Sequence, residues 1–117
     1  MMKLKDKDTQ PAMAGLPESH REWWDLGDGY EIYVSQGSKV CSFWIDGPDK
    51  KDITYEIAKL LGLNVSEKQL ITRYKGGDEL YASMSINCVA INYTKPKNYM
   101  ALLEKIEIIV NEHFKSK

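Results

Sequence analysis

Twice in this chain a pair of β-rich runs is followed by a helical stripe, and no other feature constrains the fold as much. In the first pass Ile32 and Val34 alternate with Glu31 and Tyr33, and a turn around Gly37 follows. Cys41, Phe43 and Ile45 then alternate with Ser42 and Trp44. Short β-branched and aromatic runs around a glycine-containing loop read as a hairpin. Pro48 stops the second run, because proline cannot continue a central ladder. Ile53, Ile57, Leu60 and Leu61 recur at helical spacing, with Asp49 as the expected N-cap, Asp52 in the first turn and Gly62 as the stop.

In the second pass residues 69–75 are expected to form a strand, and a turn follows at Gly76 and Gly77. Leu80, Ala82, Met84 and Ile86 then alternate with Tyr81, Ser83 and Ser85. Residues 79–93 read as one long strand bent at Asn87 or as two strands, the bent strand being preferred since a single Asn is a poor turn. Pro96 opens the last helix, whose apolar stripe is Tyr99, Leu102, Leu103, Ile106, Ile109, Val110 and Phe114.

The expected fold is therefore α+β. It is a four- to five-stranded antiparallel sheet built from two hairpins in ββα-ββα order, with two helices packed on one face and a short N-terminal helix. That short helix is placed over residues 17–26, with Ser19 and Glu22 as its capping box and Gly27 as its end. It would carry Trp23 and Trp24 across the other face of the sheet. Residues 1–15 hold no aromatic residue and only Thr9 as a β-branched one, so they read as a flexible arm. Residues 16–117 form the single expected domain, since a chain of 117 residues has room for one core.

Charge narrows the function. Sixteen Lys and Arg against seventeen Asp and Glu leave a net charge of −1, so no global field draws the chain to a polyanion or a membrane. No window approaches the length of a membrane span. Lysines near the start are followed by no apolar run, so no secretory leader is expected and the expected compartment is the cytoplasm. Cys41 and Cys88 lie within apolar runs and read as buried reduced thiols.

No catalytic constellation emerges. A cysteine nucleophile needs a base within reach and a site that lowers its pKa. Here both cysteines fall inside strand patterns, and His20 and His113 are far apart in sequence. Asp46, Asp49 and Asp52 recur at a spacing of three but lack the glycine and glutamate of a calcium loop; they read as a strand end, a cap and a dipole partner. No metal, no cofactor and no enzymatic activity are expected.

Strand parity supplies the candidate working surface. If Ile32, Val34, Phe43, Ile45, Leu80 and Ala82 face the helices, Tyr33, Ser42, Trp44, Tyr81, Ser83 and Ser85 face away, with Arg73 or Tyr74 alongside. Aromatic residues set among hydroxyls across neighbouring strands mark a contact face. The expected partner-binding residues are Tyr33, Trp44, Tyr81, Arg73 and Ser83. Such a face can stack the bases of single-stranded nucleic acid. However, only two arginines, Arg21 and Arg73, are present, and guanidinium forks are what read phosphates and guanines. A protein partner is the better expectation, met by a monomer or homodimer. A small, near-neutral, motif-free α+β chain is in the style of bacterial immunity proteins, antitoxins and phage-encoded inhibitors. The expected function is accordingly non-catalytic occlusion of another protein's surface, with nucleic-acid binding through the same face as the alternative.

Overall fold

Buried side chains alternate along the strands in a straight transverse row: Val34 lies across from Phe43, Phe43 across from Ile91, and Ile91 across from Ala82. All of them are fully buried. The computed structural model describes residues 2–12, 15, 18–63, 72–73, 79–85 and 88–115, with the backbone alone at residues 72, 73, 79 and 85. Among these are β1 (Lys3–Gln10), β2 (Ser19–Gly27), β3 (Tyr30–Gln36), β4 (Cys41–Asp46), α1 (Thr54–Leu60), β5 (Thr72–Arg73), β6 (Glu79–Ser85), β7 (Cys88–Tyr93) and α2 (Tyr99–Val110). A π-helical turn, Asn111–Lys115, extends α2. The described strands form one antiparallel sheet in the order β1-β2-β3-β4-β7-β6-β5. The protein is α+β.

The core is a single cluster that joins one parity of the strands to both helices. Ile32, Val34, Phe43, Ile45, Leu80, Ala82 and Ile91 meet Ile57 and Ala58 of α1 and Leu102, Leu103, Ile106, Ile109 and Val110 of α2. Burying each large member removes roughly 1.5–3 kcal/mol of apolar hydration cost. Thr54 pins α1 to the sheet: its hydroxyl accepts from the Ile45 N–H at 2.8 Å and donates to the Ile45 carbonyl at 3.3 Å.

Several expectations need correction. The helix expected over residues 17–26 is not found: β2 runs through Ser19–Gly27, and residue 17 lies outside the described residues. Adjacent tryptophans suit a strand, which sends them to opposite faces. Trp24 packs against the core and donates its indole N–H to Glu22 at 3.0 Å, while Trp23 goes to the other face. The expected arm is also wrong over residues 3–10, which form β1 and pair with β2 from Lys3↔Asp25 to Gln10↔Ser19. As an edge strand exposed on both faces, β1 shows no apolar alternation. Its Lys and Asp residues suit an edge that must resist pairing with other chains.

The bent strand is likewise two strands. β6 and β7 pair antiparallel from Leu80↔Tyr93 to Ser85↔Cys88, which puts Ile91 and Tyr93 on the core side. Residues 86–87, and most of the strand expected at 69–75, lie outside the described residues. The four- to five-stranded expectation thus becomes seven strands among the described residues. At α1, Asp49 is not the cap; it sits at φ 61° in the turn Pro48–Lys50. The N-cap position is Ile53, which has no side-chain cap bond; Asp52, one residue earlier, accepts from the Thr54 N–H at 2.9 Å. Leu60 is 45% exposed at the rim of the stripe, where Ala58 is buried instead.

Candidate functional site

On the sheet face opposite the helices, the pairing Trp23↔Tyr33↔Trp44 sets three aromatic rings side by side on β2, β3 and β4. Trp23 and Tyr33 stack with centroids 5.2 Å apart and planes 24° from parallel. Tyr33 and Trp44 stack at 5.1 Å and 25°. These distances are close to the 4.7–4.9 Å spacing of neighbouring strands. Each ring therefore stands over its own strand and leans on the next. The Arg21 guanidinium lies over Trp23, 5.7 Å from its ring centroid. It is held there by a two-pronged bond to Asp8, Nε to Oδ1 and Nη2 to Oδ2, both 2.7 Å.

Two further rows flank the rings. On one side Asp25, Glu31 and Asp46 lie directly across from one another. Asp46 also bridges to Asp52. Like charges set opposite each other in a sheet are destabilising. Lys3 faces Asp25 and the Lys5 ammonium bonds to Glu31, so the β1 end of this row is offset. At the other end burial, Asp52 and Glu31 raise the pKa of Asp46, with Lys50 acting the opposite way.

On the other side the row is polar: Arg21, Ser35, Ser42, Asn92 and Tyr81 follow one another across the sheet. Ser42 donates to the Asn92 carbonyl oxygen at 2.6 Å, and the Asn92 amide donates to Ser83 Oγ at 2.9 Å. Asn92 is buried and satisfied by this chain.

The structure thus brings Tyr33 and Trp44 into contact and links Ser83 to Ser42 through Asn92. Tyr81 lies on the same face but apart from the rings, across from Asn92. Arg73 is on β5, across from Glu79, and its side chain lies outside the described residues. Sequence reasoning missed Trp23, Arg21 and Asn92. The available signal for Trp23 was the Asp28-Gly29 pair, which makes a two-residue turn with φ 56° and 88° and forces β2 to be a strand.

The thiols and imidazoles are not assembled. Cys41 is fully buried, and burial followed by the Glu22 charge pushes its pKa up to about 12. His20 and His113 are exposed. His20 Nδ1 lies 3.1 Å from Thr9 Oγ1. Among the described residues there is no group of three or more His, Cys, Asp or Glu placed to hold a metal. No helix among them is long and apolar enough to cross a membrane. Cys88 is half-buried and, like Cys41, a free thiol. A disulfide reagent at pH 8 should therefore label Cys88 in the native chain and reach Cys41 only in denaturant; rapid native labelling of Cys41 would contradict its burial.

Comparison with protein-family models, with curated proteins and with solved structures finds no match.

Proposed function

We propose that this chain is a non-catalytic protein-binding module that occludes the surface of another protein, in the manner of an immunity protein, an antitoxin or a phage-type inhibitor. The observation that carries the reading is the row Trp23, Tyr33 and Trp44 on the face that the helices leave uncovered. Half-buried Trp and Tyr side chains with polar neighbours are the residues that dominate protein interfaces. Tyr81 and Ser83 extend the same surface over β6, and Arg73 belongs to it by position in the sequence.

Nucleic acid is the weaker reading for two reasons. The rings stack on one another, so most of their faces are already occupied, whereas base recognition needs a free ring face. Arg21 is already held by Asp8, and the adjoining row is acidic, which opposes a polyanion.

The test is capture from a native lysate with the immobilised wild-type chain and with Trp44→Ala. A partner retained by the wild type should lose about 2 kcal/mol or more of binding in the variant. Circular dichroism should confirm that the variant stays folded. Undiminished capture by folded Trp44→Ala sinks the assignment of this face.

A further inference from the structure

The two ends of the aromatic row differ. At the β2 end the row is closed by a guanidinium: Arg21 lies over Trp23 and is anchored by a carboxylate, Asp8. At the β4 end the ring face of Trp44 that points away from Tyr33 looks toward β7. The β4–β7 pairing ends at Phe43↔Ile91, and beyond it Ile45 and Asp46 pair with residues 52–54 instead. β7 is still the neighbour of β4 in the sheet, and its Ala90, with Ser83 across from it, puts small side chains on this face. Asp46 lies two residues along β4 from Trp44, on the same face, with Glu31 opposite it. This end therefore has an indole face and a carboxylate, as the other end does, but no guanidinium.

We propose that the partner segment docked on this face is basic, and that it lays an arginine or lysine side chain along the face of Trp44 turned away from Tyr33, with its charge at Asp46. The proposal rests on the protein-binding reading above and specifies its chemistry. A guanidinium is flat and weakly hydrated, so it stacks on an indole while its N–H groups bond a carboxylate. Charge complementarity selects the sign. The lysines of β1 offset Asp25 and Glu31, whereas Asp46 is set against both Glu31 and Asp52 with Lys50 as a partial offset. An incoming cation relieves this repulsion, and an acidic segment would add to it.

The test is a titration of the intact protein with three synthetic peptides of equal length: arginine-rich, glutamate-rich and glycine-serine. The indole resonances of Trp23, Trp24 and Trp44 report the site. The arginine peptide should shift the Trp44 indole most and the glutamate peptide should leave it unmoved. Asp46→Asn should weaken the arginine peptide by about fivefold or more. The same variant should melt at a higher temperature than wild type at neutral pH, because it removes an opposed charge; a merely structural Asp46 would lower the melt. Equal binding of the arginine peptide by Asp46→Asn overturns the proposal. So does a larger shift from the glutamate peptide, or from a single-stranded oligonucleotide. If Trp44→Ala abolishes capture of a lysate partner while the arginine peptide fails to bind wild type, the basic chemistry falls and the docking face stands. If capture survives Trp44→Ala, the face itself falls.

Discussion

Phe43→Ala should lose about 3–5 kcal/mol of stability, the largest effect expected from any single truncation in this chain. Phe43 is fully buried on a central strand, across from Val34 on one side and Ile91 on the other. Both neighbours are held in ladders and cannot collapse into the space left behind. A domain of this size has roughly 5–15 kcal/mol in total, so the variant is close to unfolding at ordinary temperature. Its neighbour Trp44 gives the contrast. Trp44 points to the other face, and truncating it removes one stacked ring pair and part of its half-buried area, about 0.5–1.5 kcal/mol from the stacking. Urea unfolding of the two variants side by side reads the parity of β4 directly. If Trp44→Ala proves the more damaging, the assignment of core and working faces is reversed.

Leu103→Ala and Ile106→Ala should each cost about 2–5 kcal/mol. Both side chains are fully buried in the middle of α2, in the cluster that joins this helix to the sheet and to α1. Ile108, on the same helix, is 53% exposed. Ile108→Ala should therefore change stability by no more than about 0.5 kcal/mol. Equal losses at positions 106 and 108 would mean that α2 is rotated about its axis from the orientation described.

How much of this was legible depended on burial. β3, β4 and α2 were readable because one side of each is fully covered, and hydrophobic periodicity records cover. The same parity by itself puts Tyr33, Trp44, Tyr81 and Ser83 on one face. β1 was invisible for the complementary reason: with nearly all its side chains in water, its sequence of lysines and aspartates records charge at an edge and no period. β2 carried a competing signal. Ser19 and Glu22 imitate a helix start, and the evidence against it lay outside the segment, in the Asp28-Gly29 turn. The break between β6 and β7 was missed because the alternation was run on through residues 86–87, which lie outside the described residues. The opposed carboxylates of Asp25, Glu31 and Asp46 could not be foreseen at all. They belong to three strands, and only the register brings them together.

That register also has a consequence for the order in which the chain assembles. β1 to β4 is a run of neighbouring hairpins, and β6 with β7 is another hairpin, so every ladder within either half closes a short loop. The seam between β4 and β7 is different. It joins residues distant in the chain and has only three paired positions, Cys41↔Tyr93, Ser42↔Asn92 and Phe43↔Ile91. The entropy of closing that loop must be met before the contacts across it repay anything. The hairpins of each half should therefore form first, and the pairing of β7 with β4 should be the slow step. The Ser42–Asn92 hydrogen bond and the Phe43–Ile91 contact lie on this seam, so they are latches expected to close late.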